Sequence, residues 1–358
     1  MAGLKNRSPP PGQIWRRTGL SMLNVIDHSS SLATARTAYS GIHILRWPVR
    51  SNLSSSSRRR DGSFALLLWS PPPIITREGE RRYRSKYSPS KPLPLPSITD
   101  PARVDLSVVI PAYNETERLP DMLATTIKHL ESLKASRSYE ILIVDDGSSD
   151  GTPDLMLKLA VNEYPQSDIR IVQLEKNLGK GGAVRHGMLH GSGKRLLMVD
   201  ADGASRFEDL ESLWKSMDEL VPSEDDPAIA VGSRAHLVKT EAVVKRSLLR
   251  NVLMYGLHTV LRIVGVGHIR DTQCGFKLFN RPAARAIFPA QHITNWIFDV
   301  ELLLLAKQLK IPVAEVPIEW HEVPGSKLNV MMASLQMLRD LLVMRGNQMV
   351  GRWKIVQG

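Results

Sequence analysis

At the end of the apolar run Leu196–Val199 stand two carboxylates one residue apart, Asp200 and Asp202, in the stretch LLMVDADGAS. A strand that only has to pack has no use for them there. Paired carboxylates can hold a hard cation, which prefers oxygen ligands. On a strand that stayed extended the two would face opposite sides, so a turn at Gly203 has to reorient one of them. Taken alone, the pair is equally a solvated turn, and its neighbours decide its meaning.

Three more stretches place polar groups where apolar runs end. LSVVIPAYNE (106–115) leads to Asn114 and Glu115, and YEILIVDDGSSDGT (139–152) leads to Asp145 and Asp146. NLGKGGAVRHG (177–187) is a glycine-rich turn opening a helical stretch, with Lys180 inside it. Such a turn exposes backbone N–H groups to an anion, and a lysine adds a compact charge. It is not a Walker A loop, because the G-X-X-X-X-G-K-[ST] spacing is absent.

The elements that must position these groups follow from periodicity. Short buried strands end near Pro111, Asp145, Leu174 and Asp200, and apolar residues at helical spacing follow from Glu117 and from Pro153. Strands alternating with helices predict an α/β domain whose mostly parallel sheet has helices on both faces. In such sheets ligands bind beyond the carboxyl ends of the strands, where one pocket can collect all the groups named above.

The formal charge of +11 suggests nucleic acid until it is divided along the chain. The first hundred residues carry 16 Lys/Arg against 5 Asp/Glu, while the other 258 carry 31 of each. The body is therefore balanced, and no nucleic-acid partner is expected. Residues 1–103, rich in Ser, Arg and Pro, are expected to form a largely disordered tail with some likeness to a transit peptide, and 104–358 the folded domain. The nearest candidate for an anchor is FALLLWSPPPIIT (64–76), a disrupted one, since a spanning helix needs roughly 20 apolar residues. The single cysteine, Cys274, excludes an internal disulfide and has no activating base near it in sequence.

VVIPAYNE, IVDDGSSDGT, NLGKGGAVRHG and DADGA stand in the order and spacing of the family 2 glycosyltransferases, and VGSRAHL, IRDTQCGFKLF, WIFDVELL and PGSKLNV extend the resemblance over roughly residues 104–355. It implies a GT-A fold. It also implies inverting transfer of glucose from UDP-glucose to dolichyl phosphate at the endoplasmic reticulum membrane, with the catalytic domain facing the cytosol. Asp200 and Asp202 match the family's Asp-X-Asp and would hold Mg²⁺ or Mn²⁺ against the donor diphosphate, the cation acting as a Lewis acid on the leaving group. Pro111, Tyr113, Glu115, Asp145, Asp146, Lys180 and Gly181 fall in the nucleotide-sugar motifs, with Glu115 expected at the ribose and the two aspartates at the uridine.

Arg234, Arg270, Asp271 and Lys277 fall in the acceptor half, where Arg234 and Lys277 are expected at the acceptor phosphate and Arg270 and Asp271, with Asp202 and Asp299, among the catalytic residues. Asp299 matches the position where inverting members place a carboxylate near the acceptor. A phosphate acceptor, with a second pKa of about 6, is already largely ionised at neutral pH. Asp299 is therefore expected to position rather than to abstract a proton.

A polyprenyl acceptor has to be met at a bilayer, and the stretches 248–267 and 330–355 mix apolar residues at helical spacing with Arg or Lys, as interfacial helices do. QMVGRW (348–353) resembles the Gln-X-X-Arg-Trp of processive synthases but is one residue too long. Three alternatives remain: a mannosyltransferase using GDP-mannose, a nucleotidyltransferase releasing pyrophosphate, and a non-catalytic nucleotide-sugar-binding protein.

Overall fold

The strands that end at the candidate residues are buried on both faces, and this accounts for their composition. In the computed structural model, which describes residues 70–71, 74–237, 269–323 and 330–353, nine strands form one sheet. They are β1 (Arg82–Ser85), β2 (Ser88–Pro94), β3 (Val104–Ala112), β4 (Tyr139–Asp145), β5 (Ile169–Gln173), β6 (Gly193–Val199), β7 (Ile229–Ser233), β8 (Phe276–Asn280) and β9 (Val313–Pro317). Their order across the sheet is β2-β1-β5-β4-β3-β6-β8-β7-β9. The centre, β5-β4-β3-β6, is parallel throughout, and β8 returns antiparallel against both β6 and β7.

The helices are α1 (Leu119–Leu133), α2 (Thr152–Asn162), α3 (Lys180–His190), α4 (Leu210–Leu220), α5 (Arg281–Ile287), α6 (Phe298–Gln308) and α7 (Val330–Met349). Successive strand residues point to opposite faces. Val108 and Ile110 therefore join a core with α1, α2 and α4, while Val109 joins one with α3, α5, α6 and α7. That double burial is why the central strands read as unbroken apolar runs instead of alternating ones.

The amino-terminal boundary differs from the sequence expectation. Residues 82–94, expected in the tail, form the hairpin β1–β2, and β1 pairs antiparallel with β5. The segment up to β3 is also tied down: Ile98 is buried, and Arg281 donates to the carbonyls of Ser97 and Asp100. These residues escape a periodicity search because β2 is almost wholly exposed and reads SPSKPLP, prolines that only an edge strand tolerates. Most of the 64–76 stretch, the 248–267 helix and PGSKLNV lie outside the described residues. Among the described residues, no helix is long and apolar enough to cross a membrane.

Candidate active site

Register brings the strand ends together. Ala112 of β3 lies beside Asp145 of β4, and Val109 beside Met198 of β6, so the chain leaves all three strands at one level. Asp200 directly follows β6, and its N–H donates to Gly275 O at 3.1 Å, which joins the site to the start of β8. Gly275 must be glycine, since a Cβ there would overlap the Asp200 carboxylate.

The two carboxylates after β4 have different tasks. Asp146 Oδ1 accepts from Leu178 N at 2.7 Å and Oδ2 from Gly179 N at 2.9 Å, so both oxygens are used in shaping the glycine-rich turn. Burial pushes its pKa up to about 6 against those two hydrogen bonds. Asp145 is wholly buried; Oδ2 accepts from Ser148 N at 3.2 Å, but Oδ1 has no hydrogen-bond partner. Burial raises its pKa too. Of the pair expected at the uridine, only Asp145 has an oxygen to offer a ligand.

The glycine-rich turn ends at α3, whose first residue is Lys180. Gly181 packs against Phe298, where a Cβ would come within 2.6 Å of the ring-bearing carbon. Lys180 Nζ lies 2.6 Å from Asp200 Oδ1 in an ion pair, and apart from that ammonium the buried oxygen has no partner among the described residues. Burial alone would lower the Lys180 pKa; Asp200 and Asp299 outweigh it and raise it. Asp202 is half-buried and accepts from Ala204 N at 3.0 Å, the Asx turn that reorients its carboxylate as Gly203 (φ 72°) turns the chain.

In the first loop Pro111 is buried at the end of β3 and Tyr113 is 48% exposed. Glu115, expected at the ribose, is gripped by Arg118, whose Nε donates to Oε2 at 2.9 Å. The Arg118 pKa is raised first by Glu115 and further by the charges of Asp202 and Asp200. Sequence reasoning passed over Arg118, although its spacing of three from Glu115 at a helix start was a usable signal. Trp296 was missed as well; its ring centre lies 5.9 Å from Lys180 Nζ and it is 41% exposed.

The acceptor half corrects one expectation. Lys277 is fully buried, with Nζ donating to Asp299 Oδ1 at 2.6 Å and to Cys274 O, so it is unavailable to an acceptor phosphate. Arg270 is exposed, and what the structure fixes is its backbone, whose N–H donates to Glu315 Oε1 at 3.1 Å. Arg234 and Asp271 do meet: Nε donates to Oδ2 at 2.7 Å and Nη2 to Oδ1 at 2.9 Å, with the Trp320 ring centre 5.3 Å from the guanidinium carbon. Burial would raise the Asp271 pKa, but Arg234 holds it below the usual range. Asp299 heads α6 and is 2% exposed; burial raises its pKa against the pull of Lys277 and Lys180. Cys274 is buried, its thiol pushed up to about 11.

A divalent cation fits this donor set. Asp200 and Asp202 offer two hard oxygen ligands, and the buried Asp200 Oδ1 has only the Lys180 ammonium against it. Among the described residues no group of three or more His, Cys, Asp or Glu forms a metal site. Mg²⁺-type ions need no such cage, since they take one or two carboxylates and complete their shell with phosphate oxygens and water.

Residues 107–288 match the family model for glycosyl transferase family 2, and the chain belongs to that family. The observed architecture is the GT-A type that the motifs imply. Among curated relatives, the dolichyl-phosphate beta-glucosyltransferase of Saccharomyces cerevisiae is 48% identical over 262 residues, 71% of this chain and 78% of the relative. The human enzyme of that name is 46% identical over 266 residues, covering 74% and 82%. A solved structure of Mycobacterium tuberculosis glucosyl-3-phosphoglycerate synthase in complex with UDP is more distant, at 18% identity and TM-score 0.49, covering 68% of this chain and 80% of its own.

Proposed function

We propose that this chain transfers glucose from UDP-glucose to dolichyl phosphate with inversion. The relatives supply sugar and acceptor, since dolichyl-phosphate beta-glucosyltransferases match it over more than two thirds of both chains. The structural observation that carries the chemistry is Asp200: a buried carboxylate oxygen whose one partner among the described residues is the Lys180 ammonium 2.6 Å away, at the carboxyl end of a parallel strand.

In this scheme Asp145 Oδ1 receives a donor group of the uridine, and the start of α3, held in place by the turn that Asp146 shapes, faces the diphosphate. Asp200 and Asp202 would hold Mg²⁺ or Mn²⁺, which supplies Lewis-acid neutralisation of the leaving diphosphate. Lys180 adds a second positive charge on the same side. Arg234, fixed by Asp271, offers the acceptor phosphate a cation whose direction is set. An acceptor phosphate oxygen forms its bond to the anomeric carbon as the bond from that carbon to the β-phosphate oxygen breaks, and UDP departs with the electron pair. No proton has to be removed from an ionised phosphate, and Asp299, held by Lys277, positions Lys180 instead of acting as a base. On this reading the protein works at the endoplasmic reticulum membrane with this domain facing the cytosol.

The test offers UDP-[¹⁴C]glucose and GDP-[¹⁴C]mannose separately with dolichyl phosphate. Label extractable into organic solvent from UDP-glucose alone is expected. Label from GDP-mannose alone would exchange the sugar, and release of pyrophosphate would replace the reaction class.

A further inference from the structure

One buried residue ties together the two arms of the glycine-rich turn, and it comes from outside the segment that matches the family. That segment is 107–288, whereas Glu80 lies upstream of it, in the short helical turn Gly79–Arg81 that leads into β1. Glu80 is 1% exposed. Its Oε1 accepts from Glu175 N at 3.2 Å and its Oε2 from Arg77 N at 2.8 Å. Its backbone carbonyl accepts from His186 Nε2 at 2.8 Å. Glu175 stands just beyond β5, where the chain enters the turn, and His186 stands on α3, by which the chain leaves it.

A carboxylate so deeply buried is costly and needs a purpose. Packing the hairpin does not demand one, because an apolar side chain of similar size would fill the same space. Two backbone N–H groups converging on one side chain do demand it, since both oxygens of a carboxylate accept.

What those bonds fix is the path of the chain toward Lys180. Leu174 N donates to Asp145 O at 2.9 Å, Glu175 N to Glu80, and Leu178 N and Gly179 N to Asp146. The approach is thus pinned from the sheet by Asp145 and Asp146 and from the amino-terminal segment by Glu80. On the other arm His186 has to carry its proton on Nε2 to donate to a carbonyl, and burial, which pushes its pKa down to about 3, keeps it neutral. Helix α3 has no room to settle closer to the sheet, because a Cβ at Gly187 would overlap Val109. The Arg77–Glu175 ion pair beside this clamp is exposed on both sides, and such pairs hold little.

We propose that Glu80 is a positioning residue of the donor site: by gripping both arms of the glycine-rich turn it sets the place of Lys180 and the start of α3 against the donor diphosphate. The inference rests on the donor reading of this site and not on which sugar or acceptor is used. The amino-terminal segment then serves the nucleotide as well as the edge of the sheet.

The test compares the full wild-type chain with Glu80→Gln and His186→Phe. The amide keeps the shape of the carboxylate but accepts through one oxygen only, and the phenyl ring keeps the bulk of the imidazole without its N–H. UDP titrated calorimetrically in the presence of Mn²⁺ should bind Glu80→Gln about tenfold more weakly and His186→Phe about threefold more weakly. The KM for UDP-glucose should rise by the same factors, while kcat and the KM for dolichyl phosphate stay within about twofold of wild type. Two variants that bind UDP as tightly as wild type would overturn the proposal. So would a joint loss of UDP affinity, acceptor affinity and kcat in proteins whose melting temperature falls, the pattern of residues that merely hold the fold. UDP affinity needs no turnover, so a failure of the proposed glucose transfer and a failure of this clamp are read separately.

Discussion

The two halves of the site treat charge in opposite ways. In the donor half, at the ends of β4 and β6, Asp145 Oδ1 is buried with no hydrogen-bond partner, and the buried Asp200 Oδ1 has only the Lys180 ammonium, 2.6 Å away, against it. In the acceptor half the charges are already closed into pairs, Arg234 with Asp271 and Lys277 with Asp299. A buried carboxylate oxygen left open costs stability and is kept for a ligand. A buried closed pair adds little net stability, but removing one partner strands the other. The donor half is therefore built to receive charge, and the acceptor half to hold its own side chains still.

Four variants can break or sharpen that contrast. Asp200→Asn should lower kcat about 10³-fold or more with only a small loss of thermal stability, because Lys180, parted from Asp200, keeps the attraction of Asp299; steady-state kinetics beside calorimetry check both halves of the statement. Lys277→Met should do the reverse, costing about 3 to 5 kcal/mol of stability in chemical denaturation by stranding Asp299, with Lys277→Met/Asp299→Leu recovering most of it. If the single variant were as stable as wild type, the pair would not be closed.

Arg234→Lys keeps the charge but loses the two-pronged grip on Asp271, and should raise the acceptor KM about tenfold with little change in the donor KM. The smallest effect concerns pH. The folded pKa of Asp146, about 6, lies above its unfolded value, so the folded state holds this proton more tightly. Its contribution is fully present below the unfolded value of about 4 and is lost as pH rises to about 6. Asp146→Asn should flatten the stability curve in that interval.

Much of the donor half was legible in the sequence because its elements and its chemistry coincide. Apolar runs ending in Asp145 and Asp200 declared both the parallel strands and the end of the sheet at which the carboxylates gather. The acceptor half was less legible for a reason visible at Lys277. A lysine in FKLFN reads as a solvent-facing strand position, and only the packing of α6 over that face, with Asp299 at its head, shows the ammonium turned inward. Asp146 misled differently: an aspartate beside a binding residue looks like a second binding residue, yet its oxygens are used by backbone N–H groups more than thirty residues away. The β1–β2 hairpin escaped because edge strands carry no buried period to read.

The contrast between open and closed charge is tested most directly by titrating UDP, followed calorimetrically, into wild type and Asp200→Asn, each with Mn²⁺ and with EDTA. Wild type should bind at least about tenfold more tightly with Mn²⁺ than with EDTA, and Asp200→Asn should bind equally weakly in both. Equal UDP affinity for the two proteins, indifferent to the cation, would contradict the account of Asp200.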